Sequence, residues 1–218
     1  MPPGYDNSVF VNCPFDSAYR PLFEAVVFAV YDCGFYARCA LEVDDSSQVR
    51  IQKITKIIGE CRLAIHDISR TQLDRESGLP RFNVPFELGI FAGAKAFGGR
   101  EQRRKACIVL DTERYRYQRF ISDIAGQDIR EHARRVERVI EQVRDFLSGY
   151  HAVPVILPGA RLLNGRYREF RHALPQTCAK LRLDRDTLIY RDFANIVSSW
   201  IHVHPLPHHV LSGVHKAA

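Results

Sequence analysis

Ile51-Gln52-Lys53-Ile54-Thr55-Lys56-Ile57-Ile58-Gly59-Glu60-Cys61-Arg62-Leu63-Ala64-Ile65-His66-Asp67-Ile68 holds two periodicities back to back. Ile51, Ile54, Ile57, Ile58 and Cys61 recur at i, i+3 and i+4, the apolar stripe of an amphipathic helix. Residues 63–68 are then apolar with little alternation, as in a strand buried on both faces. A one-faced helix running straight into a doubly buried strand is half of a βαβ unit, so the neighbouring sequence should supply more of the same.

It does. Upstream, residues 8–13 form a β-branched and aromatic run closed by Pro14, and residues 19–33 are apolar on nearly every face and stop at Gly34. These read as a buried first strand and a buried helix. Residues 36–43 read as a second strand, after which Asp44-Asp45-Ser46-Ser47 supplies N-cap candidates for the Ile-striped helix. Downstream, a loop rich in Gly, Pro and charge reaches Asn83. A helix then starts at Val84 with Pro85 in its first turn, carries Glu87 and Leu88, and ends at Gly98-Gly99. Residues 106–110 make a fourth strand.

Residues 111–127 lack a clean period and read as an irregular loop with a short helix around 118–121, a length at which ordered loops are often functional. Asp128 can cap a helix whose stripe is Ile129, Val136, Val139, Ile140, Val143, Phe146 and Leu147, ending at Gly149. A short strand at 153–157 and helices near 166–181 and 187–202 follow, with a frayed tail from Pro205. The reading is an α/β fold: an open, mostly parallel sheet with helices on both faces and right-handed crossovers, plus a C-terminal helical extension. Residues 1–150 would form the α/β domain and residues 151–218 the extension, packed on the same core.

Composition sets the class. At 218 residues and 46% hydrophobic, the chain can bury one sizeable core. No apolar stretch approaches the roughly 18 residues that cross a bilayer, and Met1-Pro2-Pro3-Gly4-Tyr5-Asp6 has neither the basic nor the apolar segment of a signal peptide, so the expected location is the cytosol. The six cysteines are scattered, without a CxxC pair or a close Cys/His cluster, and read as reduced packing residues; no metal is implied. The net charge of +6 is C-terminal: residues 1–100 hold 11 Lys/Arg against 12 Asp/Glu, and residues 101–218 hold 20 against 13. That excess can meet phosphates or solvate helix faces. Nucleic-acid binding is disfavoured, because aromatic and basic residues interleave only at 115–120.

Ligands of open parallel sheets sit beyond the carboxyl ends of the strands. That rule selects Asn12, Pro14 and Asp16 after the first strand, Asp44 to Ser47 after the second, Asp67 after the third, Asp111 after the fourth, and Glu87 at a neighbouring helix start. In a first helical turn the dipole would favour an ionised Glu87, which could serve as a nucleophile or stabilise an oxocarbenium-like centre; Glu is also simply a preferred first-turn residue. Asp67 could hold ribose hydroxyls or cap the next turn. His66 should face the other way and pack. Asp45 and Ser46 could bind a ligand hydroxyl or only cap a helix, and Asn12 and Asp16 could contact ligand or shape a turn. There is no GxGxxG, P-loop, HExxH or GxSxG. Gly89 and Gly93 are expected to let their helix pack closely on the sheet.

Three stretches together resemble a known family. Val9-Phe10-Val11-Asn12-Cys13-Pro14-Phe15-Asp16, then residues 61–68 with Asp67 near their end, then Asn83-Val84-Pro85-Phe86-Glu87-Leu88-Gly89-Ile90-Phe91-Ala92-Gly93-Ala94, are similar to the nucleoside 2-deoxyribosyltransferase superfamily and its relatives among bacterial Toll/interleukin receptor (TIR) domains. Residues 120–128 are similar to a loop of TIR-like proteins. The resemblance spans residues 8–130 and implies a flavodoxin-like or TIR-like sheet. It implies that Glu87 is the nucleophilic glutamate and that Asp67 contacts substrate. Where the transferases carry a second acidic residue before the glutamate, this chain has Arg81 and Asn83.

The expectation is therefore an N-glycosidase-type enzyme acting on a nucleotide, with NAD as the favoured substrate and a deoxynucleoside or deoxynucleotide as the other. Glu87 and Asp67 would be catalytic, Asn12, Pro14, Asp16, Asp45, Ser46 and Asn83 would line the substrate, and Arg38, Arg50 or Arg81 would meet phosphates. The alternative is a nucleotide-sensing TIR-like module that does not cleave and signals by oligomerisation. In either form the resemblance implies a homo-oligomer in bacterial immunity.

Overall fold

The computed structural model describes residues 4–71, 78, 81–152, 155–206 and 209–210 of the chain. Its elements in chain order are β1 (Ser8–Asn12), α1 (Arg20–Asp32), β2 (Tyr36–Arg38), α2 (Arg50–Glu60), β3 (Leu63–Asp67), α3 (Asn83–Phe97), β4 (Ala106–Asp111), β5 (Arg130–Glu131), α4 (Val136–Leu147), β6 (Val155–Ile156), α5 (Ala160–Leu181), α6 (Tyr190–Val203) and β7 (His209–Val210). The first five strands form one parallel sheet in the order β2-β1-β3-β4-β5, the doubly wound α/β arrangement read from the sequence. The chain leaves β1 toward one edge and returns beyond it, so the carboxyl ends of β1 and β3 flank the switch point.

Alternate residues of each strand feed two cores. Val9, Val11, Leu63, Ile65, Ile108 and Leu110 pack under α1, α4, α5 and α6, whereas Phe10 and Ala64 pack under α2 and α3. Helix α1 is apolar on nearly every face because the sheet lies below it and the C-terminal helices above. Phe28, fully buried, has ring centroids of Tyr167 and Phe170 at 5.2 Å and Trp200 at 5.7 Å. Residues of α5 and α6 thus belong to the same core as the sheet. Truncating Phe28 to alanine should cost about 3–5 kcal/mol. Helix α2, with only Ile54, Ile57 and Ile58 buried, is the one-faced helix that its stripe predicts.

Several boundaries differ from the sequence reading. Strand β2 ends at Arg38, because residues 39–43 turn away at the sheet edge. Helix α2 begins at Arg50 with Val49 at its N-cap, so the 44–47 run does not cap it; Asp45 instead accepts the Ser47 N–H at 3.0 Å and hydroxyl at 2.7 Å in a local turn. Asp128 does not start a helix: Arg130–Glu131 pairs with β4 as a fifth strand, and Ala133 and Arg134 take left-handed φ of 49° and 56°, which holds helix formation off until Val136. Helix α5 starts at Ala160 and runs through Pro175. His209–Val210, inside the expected tail, pairs antiparallel with β6, and residues 153–154 of the expected strand lie outside the described residues.

The connection from β4 to β5 has no α-helix. Single 3-10 turns at Arg116–Arg119 and Ser122–Ile124 take its place, with Tyr117, Phe120, Ile121 and Ile124 packed on Leu88 and Val109. No helix among the described residues is long and apolar enough to cross a membrane.

Candidate active site

Strand alternation decides where each carboxyl-end side chain points. Asn12 and His66 share the α2–α3 face. Asn12 Nδ2 donates to His66 Nδ1 at 2.9 Å and to the Val84 carbonyl at 3.0 Å, which ties β1, β3 and the start of α3 together. Since Asn12 donates, His66 carries its proton on Nε2, and burial depresses its pKa to about 3. His66 is a neutral packing residue, edge-on to Phe10 and Phe91, as its position after Ile65 implied.

Asp67 turns to the opposite face and is fully buried. Its carboxylate accepts the Tyr19 hydroxyl at 2.5 Å and the Ser69 N–H at 2.9 Å, and His132 Nε2 lies 3.1 Å away. Burial alone would raise its pKa; these donors outweigh burial and hold it below the usual carboxylate value. His132 Nδ1 accepts the Arg134 N–H at 3.0 Å, which leaves Nε2 as the protonated nitrogen facing Asp67. The sequence reading had the Asp67 carboxylate either hold ribose at the sheet edge or cap the next turn, and the bond from the Ser69 N–H is the cap. The structure encloses the carboxylate, because α1 brings Tyr19 and the chain after β5 brings His132 over the end of β3.

Glu87, on α3, is also nearly buried, at 6% exposure. Helix α3 starts at Asn83, so Glu87 is its fifth residue and lies beyond the first turn, contrary to the sequence reading. The dipole and free N–H groups therefore do not hold it ionised. It forms no hydrogen bond or ion pair with any described residue, and burial raises its pKa to about 7, opposed only by the charge of Arg50 at the start of α2. The Cys13 thiol at the end of β1 is pushed well above its ordinary pKa by burial and then by Asp67, Cys39 and Glu87, which places it near both carboxylates at the switch point.

The other expected site residues divide into three groups. Arg50 reaches the field of Glu87, and Asn12 and Asn83 sit where β1 meets α3. Asp16 accepts the Tyr19 N–H at 3.1 Å and pairs with Arg70 at 2.6 Å, bracing the turn that follows buried Pro14. Arg38, Asp45 and Ser46 are not gathered with Glu87: Arg38 forks onto Glu42 and reaches Glu60 at 3.0 Å, while Asp45 and Ser46 are exposed in the turn before α2. Arg81 is exposed just ahead of α3.

Sequence reasoning did not select Tyr19, Arg70, Arg116 or His132. Arg116 is the organiser of the loop after β4: it pairs with buried Asp111 at 2.6 Å, donates to the Ile68 carbonyl at 2.8 Å, and reaches Thr71 Oγ1 at 3.1 Å. His132 was hidden by reading its segment as helix, and Tyr19 by reading it as an apolar helix start.

Fold and site together define a doubly wound, flavodoxin-like α/β protein whose switch point holds a glutamate without a partner among the described residues. Comparison with protein-family models, curated proteins and solved structures finds no match for this chain. Among the described residues, no group of three or more His, Cys, Asp or Glu is placed to hold a metal ion.

Proposed function

We propose that the chain is an N-glycosidase-type enzyme acting on a nucleotide, with Glu87 at the anomeric carbon. The observation that carries this reading is one carboxylate, 6% exposed and without a hydrogen-bonding partner among the described residues, at the switch point of a parallel sheet. A structural glutamate in that position would be paired, as Glu24 is with Arg20, Arg171 and Arg185. An unpaired one is set to meet charge that arrives with a ligand, here the cationic sugar carbon of an oxocarbenium-like transition state.

In the step proposed, a Glu87 oxygen bonds to C1′ as the bond to the base breaks, and the base leaves with the electron pair; water then releases the sugar. A purine leaving group would need a proton from an acid. Asp67 is held ionised by its three donors, and no other described acid stands beside Glu87. Nicotinamide leaves from NAD as a neutral ring and needs no proton, which favours NAD over a deoxynucleoside. Incubation with NAD and, separately, with deoxynucleosides, followed by chromatography of released base, tests the reading. Release by the wild type and none by a folded Glu87→Gln protein is expected, and an active Glu87→Gln protein would refute it.

A second reading, a nucleotide-binding module that signals by self-association, has its own support. The outer face of α3 carries Phe86 at 60% and Phe97 at 89% exposure, with Gly89 and Gly93 between them. Among the described residues a Cβ added at either glycine would meet no atom within 4 Å outside the helix's own backbone, so these glycines do not pack on the sheet as the sequence suggested, and no described residue covers this apolar face of the helix. Nucleotide binding without base release, accompanied by assembly, would select this reading.

A further inference from the structure

A second pocket, of about 170 Å³, lies on the other face of the sheet at the carboxyl ends of β3, β4 and β5, between α1 and α4. Ser69, Arg70, Thr112, His132, Arg134 and Val136 line it, and no carboxylate is among its lining residues. Arg70 is held toward Asp16. The Arg134 guanidinium is exposed and has no partner among the described residues. Ser69 is 4% exposed, and its backbone N–H is spent on Asp67, which leaves its hydroxyl for the pocket.

Val136, in the pocket wall, is the first residue of α4, and no side chain caps that helix. Its first N–H groups therefore add positive potential to that of the two guanidiniums. The left-handed backbone at Ala133 and Arg134, fixed by the Arg134 N–H bond to His132 Nδ1, sets Arg134 at the lip. The Arg134 guanidinium, the Ser69 hydroxyl and the N–H groups at the start of α4 converge on a pocket with no carboxylate in its lining, with Arg70 shared with Asp16 and Glu137 in the first turn of α4 beside it, and form a receptor for an oxyanion.

We propose that this pocket binds a phosphoryl group, supplied by a nucleotide whose sugar lies at the switch point or by free pyrophosphate. The nucleotide source rests on the reading of Glu87 given above; the phosphoryl chemistry does not. Calorimetric titration of the wild type with inorganic pyrophosphate and with ADP should show binding of both. Arg134→Gly should bind each at least tenfold more weakly while remaining folded, because glycine suits the positive φ. Ser69→Ala should weaken binding severalfold, and Arg135→Ala, outside the pocket, less than twofold. Tighter binding of ADP than of pyrophosphate would identify the nucleotide as the source, and equal binding the free anion; both support the pocket. No binding by the wild type, undiminished binding by Arg134→Gly, or an equal loss in Arg135→Ala would overturn it. Pyrophosphate binding by Glu87→Gln, whatever its activity, separates this test from that of the glycosidase reading.

Discussion

Glu87→Gln should make the protein more stable at alkaline pH and leave its stability nearly unchanged at acid pH. The Glu87 pKa rises from 4.5 to about 7 on folding because burial penalises the ionised form. Between those values the folded state holds a proton that the unfolded state has lost. Stability therefore falls as pH rises from 4.5 to 7, and the full cost is present above 7. At 1.36 kcal/mol per pKa unit, and allowing for partial screening by solvent, that cost is about 2–3 kcal/mol. Glutamine keeps the size of the side chain and cannot ionise. For a protein of this length the gain corresponds to a rise in Tm of about 5–10 °C at pH 8, shrinking toward zero near pH 4.5. Thermal unfolding of both proteins across pH 4.5–8.5 measures it. A Tm difference that is the same at every pH would mean that Glu87 is not desolvated in the folded state, and the argument for its readiness would fail with it.

Three other outcomes follow from the same geometry. If Glu87 is the nucleophile, base release should rise with pH and level off above about 7; a rate that declines through that range would make Glu87 an acid instead. Asp67→Asn should destabilise by about 2–4 kcal/mol in urea unfolding, since Tyr19, Ser69 and His132 lose an ionised acceptor, and unaltered stability with lost activity would point to direct ligand contact. The depressed Asp67 pKa adds stability that is present above 3.8 and lost as pH falls through its folded value, an acid window separate from that of Glu87. Gly89→Ala with Gly93→Ala should raise monomer stability by about 1–2 kcal/mol, because both sites are helical and open; a lowered Tm would show that the glycines do pack closely.

The sheet was legible because its central strands are buried on both faces and helices α2 and α4 each have one apolar stripe, patterns that survive in the sequence without any partner being known. Residues 63–68 and the Ile stripe before them are the plainest case. What the sequence hid depends on contacts between distant segments. Nothing near Asp67 in sequence announces that Tyr19 and His132 will close over it. Val136 to Leu147 carries a helical period that extends smoothly back to Ile129, so the break at Ala133 and Arg134 was invisible: neither residue is a type that signals positive φ. The placing of Glu87 near a helix start was readable, but the helix begins at Asn83, one residue earlier than its pattern indicated, and burial rather than the dipole sets its electrostatic state.

Glu87 and Asp67 show how one sheet edge gives two carboxylates opposite roles. Both are buried, and burial pushes both toward the neutral form. Asp67 accepts the Tyr19 hydroxyl at the head of α1 and the Ser69 N–H after β3, and His132 Nε2 from the chain after β5 lies 3.1 Å away, so its pKa is held down and it fastens those segments to each other. Glu87 receives no donor from the described residues and feels one arginine, so burial pushes its pKa up to about 7. Selection for stability alone would favour glutamine or a nonpolar residue there, since among the described residues only the field of Arg50 favours its charge. On the proposed reading that charge is met by a sugar cation forming at the switch point, the step in which an ionised Glu87 would contribute most.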